Sequence, residues 1–351
     1  MVMCTALCVG GLWLSAQQTP AMLPAGQAKP AATISVTAKL VNLPVVVRDK
    51  NGALVRNLTQ ADFALSVDGR PQTIRYFDRD NNLPLTLGLL VDISGSVRSA
   101  LEQERIASED FLDQMVTPRD QAFVIQFAHE ADLLQDLTSS QQKLHAALDN
   151  IGTTYGEGQN GQNSGGYGGY GRHGGFHGGG TMLYDAIYLA SNQLMQKQQG
   201  RKALVILTDG EDRGSMETLA SAVAAAQRAE TVVYAIYFKG EQHGYGGHGG
   251  YRGFGGRHGG YPGGGENHVD GKKVLEQITG ETGGRMFEVS GKQTFAAIYT
   301  QIAEELRSQY RLGYVPDAAA GAEGFHRVEL TVPKNKKLMV QTRGGYYSSG
   351  Q

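Results

Sequence analysis

The sequence predicts an α/β fold: a doubly wound, mostly parallel sheet flanked by helices, joined to a small antiparallel β-domain formed from the N- and C-terminal flanks. Three observations predict it. From residue 84 to about 312, apolar runs of strand length alternate with stretches of helical periodicity. That is the pattern of parallel strands covered on both faces by crossover helices. The segments on either side, 34–80 and 313–351, are rich in β-branched residues and turn signals. Two of the apolar runs, "LTLGLLVD" and "ALVILTD", stop on an aspartate. Open α/β sheets bind ligands just beyond the carboxyl ends of their strands, so acidic loops are expected at that edge.

In chain order, "VNLPVVVRDKNGALV" carries a hairpin signal at 49–52, because Asn-Gly accepts the positive φ of a type I′ turn. "ALSVDGRPQTIRYF" offers a second pair of strands around "DGRP". Alone, this unit is too short to bury a core. "LTLGLLVD" begins the α/β block as a fully apolar strand. Leu101, Phe111, Leu112, Met115 and Val116 then make a helical stripe. "QAFVIQFA" reads as a strand paired with "ADLLQDLT", and "SQQKLHAALDNI" as a short helix. "TMLYDAIYLASNQLMQK" reads as one helix with Leu183, Ile187 and Leu194 on a face. "RKALVILT" and "TVVYAIYF" are buried strands around the Ala-rich helix "METLASAVAAAQRAE". "KKVLEQITGETGG" is a helix with a Gly stop, "RMFEVS" a strand and "TFAAIYTQIAEELRSQY" a helix. The tail, "YRLGYVP" and "FHRVELTVPKNKKLMVQTRGGYY", is β again. Terminal strands that pair with each other would make one β-domain into which the α/β domain is inserted.

Composition sets the outer limits. The 351 residues carry a formal net charge of −2, with no basic footprint for nucleic acid. Glycine, 49 residues, is concentrated in inserts at 152–180 and 240–265, with fourteen in each. Such segments cannot recover their ordering entropy through packing. They also contain, or adjoin, His173, His177, His243, His248, His258 and His268, six of the nine histidines. Neutral low-complexity expansion, a flexible gate, a sticky aromatic surface and a soft-metal binder remain open readings for them. At the N-terminus, residues 2–14 are apolar and lead into "SAQ", too short a run to span a bilayer. It fits a secretory signal cleaved after Ala16, although no Lys or Arg precedes it. Cys4 and Cys8 would leave with it. Residues 17–33 read as an Ala/Gln/Pro linker, and the mature chain is expected to be exported, periplasmic or extracellular, without a stable membrane span.

Chemistry concentrates on three loops at one sheet edge. The first carries Asp92, Ser94 and Ser96, the second Thr181, the third Asp209. Together they offer two carboxylates and three hydroxyls, with no His or Cys. All-oxygen ligation selects hard cations, Mg²⁺, Ca²⁺ or Mn²⁺, over Zn²⁺ or Cu²⁺. The plainer readings are that Ser94 and Ser96 cap the next helix, that Asp185 is a solvated or capping carboxylate, and that Glu211 and Asp212 are loop solvation. Arg98 and Glu102 read as an exposed helical pair, and His129 and His145 as isolated and structural.

"DISGS" (92–96), Thr181 in "GGTMLYDAI" and Asp209 in "LTDGED" resemble, in that order, the metal-ion-dependent adhesion site of the von Willebrand factor type A domain. The resemblance covers roughly 85–310 and implies a Rossmann-like sheet. It implies that Ser94, Ser96 and Thr181 contact a divalent ion, Mg²⁺ or else Ca²⁺ or Mn²⁺, while Asp92 and Asp209 act through water. An open coordination position would then take a carboxylate from a protein partner. The flanks are also similar to those of VWFA-related acidobacterial proteins. The sequence departs from the pattern where a Gly/Tyr/His-rich insert runs directly into Thr181. No catalytic residue is assigned: the chain holds no P-loop, no G-x-S-x-G at Ser94 and no plausible Ser-His-Asp order. Two alternatives stay open here. One is a metal-dependent hydrolase with Asp92 and Asp209 holding the ion. The other is a scaffold or metal-sequestering protein acting through its Gly/His loops.

Overall fold

The flanks interleave before the α/β block begins. In the computed structural model, which describes residues 40–79, 83–97, 100–153, 180–239, 270–316 and 323–348, the chain opens on strand β1 (Val41–Arg48). It turns at 49–52, where Gly52 takes a φ of 85°. The return leg makes a single bridge, Leu54 to Arg48, rather than a strand. β2 (Ala64–Val67) and β3 (Arg70–Gln72) form the second hairpin, with Asp68 and Gly69 both at positive φ as a type I′ turn demands. β4 (Ile74–Asp78) follows. The leader, the linker, nearly all of both inserts with their six histidines, and Arg98 lie outside the described residues.

The α/β block comprises β5 (Leu85–Asp92), α1 (Leu101–Met115), β6 (Gln121–Phe127), β7 (Ala131–Thr138), α2 (Gln141–Asp149), α3 (Leu183–Leu189), β8 (Arg201–Thr208), α4 (Leu219–Arg228), β9 (Val232–Tyr237), α5 (Gly271–Thr282), β10 (Met286–Glu288) and α6 (Phe295–Arg307). The sheet order is β10-β9-β8-β5-β6-β7, parallel throughout except for β7 at the edge. Every residue of β5 is buried, as expected for a central strand with helices on both faces. Leu87, Leu89 and Val91 pack with α1, α2 and α6 on one side, while Leu90 packs with α3, α4 and α5 on the other. Gly88 has no side chain because Phe123 of β6 fills that space; a Cβ would lie 2.3 Å from the ring.

One helix departs from expectation. The stretch after Thr181 is not a continuous α-helix: α3 widens into a π turn over Ala190–Leu194 and tightens into a 3₁₀ turn over Met195–Lys197. The extra residue in the wide turn rotates Met195 into the core, where it is wholly buried.

After α6 the chain makes β11 (Tyr310–Tyr314), β12 (Gly324–Thr331), β13 (Met339–Gln341) and β14 (Gly345–Ser348). They complete two antiparallel sheets, ordered β13-β1-β11-β4 and β14-β12-β2-β3. Val45 faces Tyr310 in one register and Val67 faces Val328 in the other. The third hydrophobic core accordingly draws on both flanks, from Leu43, Val45 and Leu65 to Leu312, Tyr314 and Leu330. A buried ion pair fastens this β-domain to α6: Arg48 Nη2 lies 2.5 Å from Glu305 Oε1. Arg48 also donates to Gln341 (2.6 Å), whose amide donates to the Gly283 carbonyl at the end of α5 (3.0 Å).

Candidate functional site

The strand order reverses beside β5: the chain steps to β6 on one side and returns through β8 on the other. Ligand crevices of open α/β sheets form at such a switch point, beyond the carboxyl ends of the strands. Asp92 ends β5 and Asp209 follows β8 directly. The architecture therefore brings the two predicted carboxylates to one edge.

Asp92 is fully buried, and both of its oxygens are engaged. Oδ1 accepts from the Ser94 backbone N–H (2.8 Å) and Oδ2 from the Thr208 hydroxyl (2.7 Å). Burial pushes its carboxyl up to about 6, against the opposing effect of these hydrogen bonds. Thr208 in turn accepts from the Gly210 N–H (3.0 Å), so one hydroxyl couples the first loop to the third. Ser94 Oγ and Ser96 Oγ are 3.1 Å apart, and the Ser96 hydroxyl donates to Asp209 Oδ2 at 2.5 Å. Asp209 Oδ1 accepts from the Glu211 N–H (3.1 Å). Asp92, Ser94, Ser96 and Asp209 thus form one hydrogen-bonded chain across two loops. The serines do not cap α1, whose N-cap position is Ala100.

Thr181 reaches the same edge by a different route. Its neighbour Met182 donates to the Ala128 carbonyl beyond β6 (2.8 Å), and its own carbonyl accepts from the Arg213 N–H (2.9 Å), four residues after Asp209. The hydroxyl of Thr181, a residue only 7 % exposed, makes no hydrogen bond to the other four side chains among the described residues. Gly180 is fixed by close approach, since a Cβ there would lie 2.5 Å from the Arg213 carbonyl.

Three further residues take part. His129, which reads as isolated in the sequence, accepts from the Gly180 N–H at Nδ1 (3.0 Å), one residue from Thr181. Asp185 is a capping carboxylate, but of another segment: it accepts from the Met216 (3.1 Å) and Glu217 (2.8 Å) N–H groups. Asp212 accepts from the Ser215 hydroxyl (2.6 Å) and the Tyr184 N–H (3.1 Å) and so ties the third loop to α3. Thr208 carries no sequence signal beyond a hydroxyl at a strand end. His145 lies elsewhere, paired with Asp113 at 2.8 Å.

Among the described residues, no three His, Cys, Asp or Glu side chains converge as a metal-binding group. Any ion here would depend on the hydroxyls. The donor set fits a hard divalent cation on chemical grounds: it is all oxygen, with two carboxylates to balance the charge. Gly210, at φ 75°, lets the third loop lie against the start of α5, where a Cβ would meet the Gly271 carbonyl at 2.3 Å.

The chain is thus a doubly wound α/β domain with hydroxyls and carboxylates gathered at its switch point. Two family models, each of the von Willebrand factor type A domain, match residues 87–211 and 173–301. Residues 87–301 of the chain belong to that family. No curated protein matches it. Among solved structures, it is similar to an aerotolerance-related membrane protein from Bacteroides fragilis: 17% identity over 63% of this chain and 98% of that one, TM-score 0.43. It is similar to BatB from Bacteroides thetaiotaomicron, at 17% identity over 63% and 97%, TM-score 0.42. It is also similar to proximal thread matrix protein 1 from the mussel byssus, with its MIDAS motif occupied by zinc, at 15% identity over 68% and 49%, TM-score 0.43. The chain spans about half the length of that mussel protein. Among the described residues, no helix is long and apolar enough to cross a membrane.

Proposed function

We propose that this domain binds a divalent cation, Mg²⁺ or else Ca²⁺ or Mn²⁺, and through it a carboxylate of a protein partner. Ser94, Ser96 and Thr181 would supply neutral oxygens, with Asp92 and Asp209 holding the loops and the ion's water. Neutral oxygens leave the ion electrophilic and able to take an anionic ligand from outside. The observation that carries this reading is the hydrogen-bonded chain from Asp92 through Ser94 and Ser96 to Asp209, which joins two loops at the switch point. The reading includes no catalytic residue. It includes export to the periplasm or beyond, after removal of residues 1–16.

Ligand that binds only the folded state stabilises it. At a hundredfold excess over Kd the gain is about 2.7 kcal/mol, a rise in Tm of roughly 5–10 °C for a domain of this size. Mg²⁺ or Mn²⁺ should produce such a rise in the wild type. Asp92→Ala and Thr181→Ala should each remove it while remaining folded in its absence. Variants that respond to metal as the wild type does would show that the ion sits elsewhere. A pull-down from periplasmic and membrane extracts, with and without chelator, tests the partner separately.

A further inference from the structure

The opposite edge of the sheet carries a second candidate site. Arg201, the first residue of β8, donates to the Leu306 carbonyl in the last turn of α6 (3.1 Å). The end of α6 therefore lies under the amino edge of the strands, roughly 25 Å from the carboxyl edge by strand length. There a cavity of about 400 Å³ is lined by Arg56, Arg79 and Arg307, together with Glu304 and Tyr310.

The three arginines come from three separate segments, and the fold holds each backbone in place. The Tyr310 hydroxyl donates to the Val55 carbonyl (2.7 Å) and accepts from the Leu58 N–H (3.1 Å), so it pins the loop on both sides of Arg56. Arg79 follows Asp78, which is paired with Arg311 at 2.5 Å within the β4–β11 register. Arg307 closes α6 and donates to the Gln114 carbonyl (2.8 Å). The side chains are another matter. Arg56 and Arg79 are exposed and enter no ion pair or hydrogen bond among the described residues. Glu304 forms no ion pair with Arg56 or Arg79 among the described residues. Asp62, the other carboxylate near Tyr310, is occupied by the Thr59 N–H and hydroxyl and by Lys334. Three cations face one carboxylate in one concavity, on fixed backbone, and the fold uses only one of their heads.

Guanidinium forks match the oxygens of a phosphate group, and like charges lining one concavity favour an anion between them. We propose that this cleft binds a phosphate-bearing ligand, held by Arg56, Arg79 and Arg307. This site is independent of the one on the carboxyl edge. A ligand anchored here would leave the cation-binding edge facing away from it.

The test uses the full chain in the absence of divalent cations, at constant ionic strength. Inorganic phosphate is titrated by calorimetry or by NMR into the wild type and into Arg56→Ala/Arg79→Ala. Each lost charge-assisted contact should weaken binding by roughly tenfold or more, so the double variant should bind at least a hundredfold more weakly. Its Tm should be unchanged, because neither side chain bonds within the fold. If the alanine pair lowers Tm, the glutamine pair replaces it. A parallel arm sediments the protein with phosphatidylcholine vesicles, with and without phosphatidylglycerol. Arginine-dependent binding to the anionic vesicles identifies a lipid headgroup as the source; phosphate binding without vesicle binding identifies a soluble one. Equal binding by wild type and variant in both arms, or no binding by the wild type in either, overturns the proposal.

Discussion

A carboxylate lies wholly buried between α1 and α6. Glu104 Oε1 accepts from the Ser108 hydroxyl (2.5 Å) and the Tyr299 hydroxyl (3.1 Å), while Oε2 has no hydrogen-bond partner among the described residues. Burial pushes its carboxyl from the ordinary 4.5 to about 7. The sign of the consequence follows. Below about pH 4.5 both folded and unfolded chains hold the proton and Glu104 costs nothing. Above it the unfolded chain releases a proton that the folded chain keeps, so stability falls as pH rises through 7, by up to about 3 kcal/mol. Glu104→Gln cannot ionise. Denaturant melts at pH 5 and pH 8 should show the wild type losing stability relative to this variant by an amount of that order; parallel losses would show that Glu104 is not the group responsible. At the same scale, the meeting of Asp92, Ser94, Ser96 and Asp209 at one edge was legible, because both loops follow buried parallel strands that periodicity reveals. Thr208 was not. A threonine at the end of an apolar run reads as an ordinary β-former, and its bond to Asp92 comes from a strand 116 residues away. His129 was missed for a related reason: its partner, Gly180, belongs to a loop whose path the sequence does not give.

Among the elements, the strands and most helices follow from periodicity, because a buried parallel strand is continuously apolar and a covering helix is apolar on one face. The π turn after α3 left no such trace, since one inserted residue shifts the apolar face without removing it. Nor could pattern reveal what fastens α6 to the β-domain. Glu305 sits on the buried face of α6 and receives Arg48 from β1 at 2.5 Å and Arg285 at 3.2 Å. In sequence, Glu305 looks like any helical glutamate. Removing one partner of a buried pair strands the other charge, so Glu305→Ala should destabilise the protein by roughly 3–5 kcal/mol. Replacing Arg48 and Glu305 together with Met and Leu should cost much less than the two single losses combined. Equilibrium denaturation of the four-member cycle measures this; additive losses would mean that the pair is not coupled.

For the whole molecule, the two antiparallel sheets are built from both flanks. β12 lies between β2 and β14, and β1 lies between β11 and β13. Deleting 324–348 would bare the edges of β2 and β1 and open the third core. Hydrogen-exchange protection over 41–48 and 64–67 should collapse, with protection in β5 and β8 largely kept. Unchanged protection in the N-terminal strands would show that they fold without the tail.

Only Ser308 and Gln309 separate the end of α6 from the start of β11, three Cα–Cα steps that reach about 10–11 Å at full stretch. That link is short. A slide of α6 along its axis by one turn, about 5.4 Å, would drag β11 between its neighbours β1 and β4. Strands cannot creep: a one-residue slip turns every side chain to the wrong face. Tyr310, Leu312 and Tyr314, all buried, would be thrown out of the third core. The helix and the strand are geared to one another, and the α/β domain can shift α6 only in steps that the β-domain tolerates.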